Sequence, residues 1–177
     1  MKIKLLKTLF FIFALIIPIL SYPISSNVKN SKKPLKMVEY TILSLGSAII
    51  DHYIHVSENE LKLITNEKGS WAPIDYSTLC SILDTRHGVT KSVPGGCSAN
   101  AMKGLTQLGE KCAIIGRVGS DEKGEYYIKA IEKLGISTFL EKGSLPTGQA
   151  VLFITPDGQS TLRTYLGASH SSTACHL

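Results

Sequence analysis

An apolar stretch runs into two consecutive glycines and then resumes at helical spacing: VPGGCSANAMKGLTQL, Val93 to Leu108. Paired glycines strip the backbone of Cβ atoms where a strand hands over to a helix, and the helix that follows exposes unpaired N–H groups at its start. The helix is expected over residues 98–108, with Ala101, Leu105 and Leu108 on one face and Gly109 as its stop. A strand–glycine–helix junction of this kind restricts the chain to folds in which strands and helices alternate.

The rest of the sequence agrees. Val38 to Leu45 is a dense apolar run ended by Gly46, the pattern of a buried parallel strand. His52 to Val56 reads as a short strand, and Ser57 with Glu60 forms a capping box for a helix over residues 58–66. Gly69 to Pro73 reads as a loop, and Asp75 caps a second helix that ends near Arg86. Val89 to Val93 leads into the glycines, and Lys111 to Arg117 is a further buried strand. Asp121 to Leu134 reads as a helix with Tyr127, Ile131 and Leu134 inward. A strand over residues 136–140 follows. Gln149 to Thr155 and Thr161 to Leu166 flank Thr155–Pro156–Asp157–Gly158, a hairpin turn. The class is α/β, with a mostly parallel sheet and antiparallel strands attached.

The formal charge of +5 is confined to one end. Met1 to Lys36 holds seven lysines and no acid, whereas the remainder carries 12 basic and 14 acidic side chains, a formal −2. The body therefore lacks the basic face that nucleic-acid binding requires. Cysteines 80, 97, 112 and 175 show neither CxxC nor Cys/His spacing, so no metal site is expected, and scattered thiols suit a reducing compartment.

Residues 1–36 form a leader. Lys2, Lys4 and Lys7 precede an apolar run from Leu9 to Leu20, and Ser21 to Ser26 is rich in small and turn-forming residues. That order is the order of a secretory signal, in a run shorter than the ~20 residues a membrane span needs. Met37 also stands directly before a buried strand, as an initiator would. Two locations follow: cytoplasmic if translation starts at Met37, and secreted or membrane-targeted through residues 1–26 otherwise.

Ligands of parallel α/β sheets sit at the C-terminal ends of the strands. Asp51 is expected just past the first strand, where its carboxylate can accept two hydrogen bonds from a diol. Gly95 and Gly96 are expected to open the helix and let backbone approach a ligand. Asn100, one turn into that helix, carries an amide that can donate and accept. Each feature alone is ordinary: a cap, a turn, a solvated amide. In this order they form a site that reads hydroxyl groups.

On these motifs the stretch from about Val38 to Ser169 resembles the N-terminal half of the ribokinase-like, or phosphofructokinase-B type, sugar and nucleoside kinases. The matching passages run in family order: GSAIID (46–51), KGSWAPID (68–75), PGGCSAN (94–100), GRVGSDEKGE (116–125), TGQAVLFITPDG (147–158) and TYLGAS (164–169). The KGSWAPID segment is most like the adenosine-kinase-like branch. The resemblance implies a doubly wound, mostly parallel sheet with a small β lid built from residues near 52–56, 89–93 and 149–165. It implies Asp51 on the acceptor's hydroxyls, Gly95 and Gly96 packed against it and Asn100 orienting it. Gly116 to Asp121 is expected to be structural. ATP and Mg are implied as donor and cofactor, and a sugar or nucleoside as acceptor.

The chain departs from the family at three places. Gly158–Gln159–Ser160–Thr161 replaces the branch's Gly-Glu-Arg-Thr, and Arg163 should face the other side of its strand. Ile49 stands where ribokinases carry a polar sugar contact, which disfavours ribose. The late Asp-Thr-x-Gly-Ala-Gly-Asp loop that supplies the family's general base and anion hole does not occur, and no Asp or Glu follows Asp157. The expectation is a truncated kinase domain over 37–169, followed by a tail at 170–177 unlike the family. Such a chain should be inactive alone, and should act as a binding fragment or as one half of a split kinase. A dimer through the lid, or pairing with a complementing C-terminal half, is the expected association.

Overall fold

The structure, a computed structural model, describes residues 39–85 and 88–171. The leader, Arg86 and the tail from residue 172 lie outside the described residues.

Among the described residues, eight strands form two sheets. The first is three-stranded and parallel, in the order β1 (Ile42–Leu45), β5 (Cys112–Gly119), β6 (Ser137–Gly143). The second is five-stranded and mixed, in the order β3 (Trp71–Pro73), β8 (Ser160–Tyr165), β7 (Gly148–Ile154), β2 (Ile49–His55), β4 (Val89–Gly95). Four of the six strand pairings are parallel. The expected α/β class, the mostly parallel pairing and the hairpin over Thr155–Gly158 are all present.

Helices cover one face of each sheet. Helices α3 (Cys97–Gln107) and α4 (Glu122–Glu132) bury Ala99, Met102, Tyr127 and Ile131 with Ile114 and Val118 of β5. Helices α1 (Glu58–Lys62) and α2 (Tyr76–Thr85) bury Leu61 and Leu79 with Ile54 of β2 and Val151 and Phe153 of β7. The Ser57–Glu60 capping box is fully formed and opens α1, and the Asp75 carboxylate accepts the N–H of Thr78 at 2.7 Å to open α2.

Several expectations need correction. The 69–73 loop contains β3, because Trp71 to Pro73 finds an open edge of β8 to pair with. Helix α1 stops at Lys62 rather than Asn66. Leu108 and Leu134 lie past the last turns of α3 and α4, where helical spacing no longer holds, and are 81% and 49% exposed rather than inward. Strand β2 begins at Ile49 instead of His52. It is paired on both sides, by β4 and β7, and Ile49 and Ile50 are buried there.

The other face of the parallel sheet is partly exposed among the described residues, although Ala113 is buried on it and Tyr40 packs edge-on against Phe139. Register places Leu43, Leu45, Ile115 and Phe139 on it, with Leu45 59% and Phe139 51% exposed. Arg117 and Glu141, cross-strand neighbours on the same face, close an ion pair at 2.6 Å.

Candidate functional site

Asp51 is the third residue of β2, inside the five-stranded sheet rather than at the tip of a strand of the parallel one. The chain leaves β1 at Leu45, crosses Gly46 to Ala48 and re-enters as β2 in the other sheet, which carries Asp51 with it. Alternation along β2 puts Asp51 on one face and His52 on the other. His52 is held from behind: Nδ1 pairs with Ser92 Oγ at 2.8 Å and Nε2 with Gln149 Oε1 at 3.0 Å, so β4, β2 and β7 are tied together. Burial lowers the imidazole's pKa below its ordinary value, against the opposing bond to Gln149.

The two glycines have different duties. Gly95 ends β4, and only Gly96 caps α3, a correction to the expectation that both open the helix. Gly95 lies diagonally across the ladder from Asp51, and a Cβ there would run into the Asp51 carboxylate. Gly96 takes φ +90°, and its missing Cβ leaves room for the carbonyl of Ser47. No side chain caps the start of α3 and its first turn carries no acid, so its free N–H groups make that end electropositive.

Asn100 lies one turn into α3, with its N–H donating to Gly96 O at 2.9 Å. Its amide oxygen accepts from Lys103 Nζ at 3.0 Å. That oxygen keeps a second lone pair, and Nδ2 adds its two donors. The same lysine donates to the carbonyl of Pro94. Lys103 was not legible as a site residue from its own position; its i+3 spacing from Asn100 was the available signal. Tyr127 is the other unforeseen neighbour. It is fully buried, and its hydroxyl donates to Gly95 O at 3.2 Å.

The electrostatics are those of a half-buried carboxylate waiting for donors. Among the described residues no hydrogen bond reaches the Asp51 oxygens. Burial pushes its pKa up to about 6, with the Lys103 ammonium pulling the other way. Lys103 is in turn pushed down by burial, with Asp51 opposing. A carboxylate, a bare Cα, an uncapped helix start and a donor amide together can grip a vicinal hydroxyl pair.

Across the same face of the sheet, register aligns Trp71, Leu162, Leu152 and Tyr53 in one row. Trp71 is 56% exposed, and its Nε1–H donates to Thr164 Oγ1 at 3.0 Å. Arg163 lies on the opposite face, as expected. It is buried and donates to Ser70 Oγ at 3.2 Å and Leu162 O at 2.8 Å. Gly116 to Asp121 is structural: Asp121 caps α4 by accepting the N–H of Gly124 at 2.8 Å.

Comparison with known proteins gives the family and the fold. A family model described as pfkB family carbohydrate kinase matches residues 42–177. A protein of Pyrococcus horikoshii carried under a sugar-kinase name is 35% identical over 104 residues, 59% of this chain and 26% of that one. An uncharacterized sugar kinase of Archaeoglobus fulgidus is 37% identical over 60 residues, 33% of this chain and 24% of that one. Among solved structures, the adenosine kinase from Sinorhizobium meliloti superposes with a TM-score of 0.70 at 26% identity, covering 76% of this chain and 42% of that one. Adenosine kinase from Schistosoma mansoni in complex with adenosine shares the fold at a TM-score of 0.66 and 18% identity, covering 76% of this chain and 40% of that one. The chain therefore spans about a quarter of the curated relatives (26% and 24%) and about two fifths of these solved chains (42% and 40%). With its ribokinase-like fold and a family match over most of its length, the chain belongs to the pfkB family of carbohydrate kinases.

Proposed function

We propose that residues 37–169 form the acceptor-binding half of a kinase that moves a phosphoryl group from ATP to a hydroxyl of a sugar or nucleoside, with adenosine-like acceptors preferred. The observation that carries this reading is the Asp51 carboxylate, laid over the bare Cα of Gly95 beside the uncapped start of α3. Two hydroxyls of the acceptor donate to Asp51, Gly95 and Gly96 allow the sugar ring to approach the backbone, and Asn100 donates from Nδ2 to an acceptor oxygen. The buried, apolar Ile49 disfavours free ribose, and the likeness to the Sinorhizobium meliloti adenosine kinase supports a nucleoside.

Phosphoryl transfer needs anion-binding amides, a positioned base and usually Mg. Among the described residues no group of three or more His, Cys, Asp or Glu could hold a metal ion. The sequence also lacks the family's late aspartate loop. These residues do not by themselves fit ATP and Mg, so no transfer step is assigned to them. We infer that the described residues supply the acceptor side and that the donor side lies outside them. The exposed Leu43, Leu45 and Phe139 on one face of the parallel sheet support a complementing polypeptide over a dimer through the lid.

Calorimetry with adenosine and with ribose, on the chain and on Asp51→Asn, tests the acceptor side. Saturable heat with adenosine that disappears in Asp51→Asn is expected. No saturable heat with either compound would refute it. A phosphotransfer assay with ATP and Mg tests the rest: turnover by this chain alone in the usual kinase range of ~1–100 s⁻¹ would refute the missing donor side.

A further inference from the structure

Lys103 stands in the acceptor site without a role in the reading above, on which the following rests. We propose that Lys103 is a positioning residue: its ammonium fixes the orientation of the Asn100 amide and supplies the positive charge that Asp51 faces.

The argument begins with hydrogen-bond chemistry. An ammonium only donates, so the Asn100 atom 3.0 Å from Nζ is the amide oxygen, and Nδ2 is turned away from it. The lysine and the asparagine are three residues apart on α3, on one face of the helix. A second anchor holds the ammonium at the carbonyl of Pro94. Pro94 immediately precedes Gly95 and pairs in register with Ile50, the neighbour of Asp51. The lysine is thereby fixed between the helix that carries Asn100 and the ladder that carries Asp51.

The charges around Asp51 come from three elements. Helix α3 contributes Lys103, strand β4 contributes Lys91, which acts through Lys103, and helix α4 contributes the neutral hydroxyl of Tyr127. Lys103 is the group that opposes the effect of burial on Asp51. Among the described residues the two do not close an ion pair, so the carboxylate stays available to ligand hydroxyls. The result is a site with one acceptor-only group and one donor-only group, which selects a hydroxyl pair that donates on one side and accepts on the other.

The test compares the chain with Lys103→Met and Lys103→Arg. The Asp51 carboxyl carbon is followed by NMR from pH 4 to pH 8 in the absence of ligand, and adenosine binding is measured by calorimetry over the same range. The Asp51 midpoint is expected to rise by about one pH unit in Lys103→Met and to return towards wild type in Lys103→Arg. Adenosine affinity at pH 6.5 is expected to fall about tenfold in Lys103→Met. An unchanged Asp51 midpoint in Lys103→Met overturns the proposal, as does a shift that Lys103→Arg fails to reverse. If the wild-type chain gives no heat with adenosine while the midpoint still moves, the acceptor reading falls and the electrostatic role of Lys103 stands.

Discussion

Asp121 and Thr147 join the two sheets through a closed set of hydrogen bonds. Asp121, just after β5, accepts the Thr147 N–H at 2.8 Å on Oδ2 and the Thr147 hydroxyl at 2.5 Å on Oδ1. The Thr147 oxygen accepts the N–H of Gly119 at 2.9 Å just before β7 begins. Thr147 is fully buried, and its N–H and hydroxyl are both matched.

Thr147→Val keeps the shape and removes the hydroxyl, leaving the Gly119 N–H without its acceptor. Destabilisation by about 1–3 kcal/mol is expected in denaturant unfolding.

The same carboxylate sets a pH dependence. Burial alone would raise the Asp121 pKa, but the bonds from Thr147 and Gly124 outweigh it and hold the value below the ordinary 3.8. A depressed folded pKa stabilises above the unfolded value and loses that contribution as pH falls through the folded one. Acid unfolding of Asp121→Asn should therefore lack a component that wild type shows below pH 3.8.

Asp51 has the opposite sign. Its folded pKa of about 6 lies above the ordinary 3.8, so its ionisation costs the fold stability as pH rises through that interval. Asp51→Asn is expected to raise the unfolding temperature at pH 7.5, by a gain of about 1–2 kcal/mol after allowance for solvent screening, and to leave it unchanged near pH 3. Equal unfolding temperatures at pH 7.5 would contradict the burial of this carboxylate. Stability gained together with acceptor binding lost is the signature of a functional carboxylate.

Gly95→Ala and Gly96→Ala separate sterics from backbone strain. The first pushes a methyl into the Asp51 carboxylate at an ordinary φ, and should cost at least about tenfold in adenosine affinity together with about 1–3 kcal/mol of overpacking. The second combines φ +90° with a clash against Ser47 O, and should cost about 1–3 kcal/mol of stability.

The partly exposed face of the parallel sheet governs behaviour in solution. Strands β1 and β6 are its edges, and Leu43, Leu45 and Phe139 are exposed beside them. Light scattering should show concentration-dependent association of the chain, reduced when Leu45 and Phe139 are replaced by lysine.

The fold was legible wherever a local rule decided the outcome. The Ser57–Glu60 cap and the Thr155–Gly158 hairpin each depend on near neighbours in sequence, whereas the run before Gly46 forms a parallel strand only over Ile42–Leu45 and, contrary to expectation, leaves Leu43 and Leu45 exposed. What escaped depended on distant partners. Trp71 to Pro73 becomes a strand only because β8 offers an edge, and Asp51 changes sheets because β4 and β7 claim Ile49 and Ile50. Gly95 meets the Asp51 carboxylate, and Gly96 and Asn100 follow in the first turn of α3. Lys103 escaped because a lysine in mid-helix looks like any solvated one until its contact with Pro94 is seen.

Trp71 is the sole tryptophan of the chain, and its indole is pinned by Thr164 on the same sheet face as Asp51. An indole in fixed orientation and more than half in water reports on its surroundings through emission wavelength. The molecule thus carries a built-in optical probe on the Asp51 face of the sheet, and events at that face can be followed by fluorescence without attaching a label.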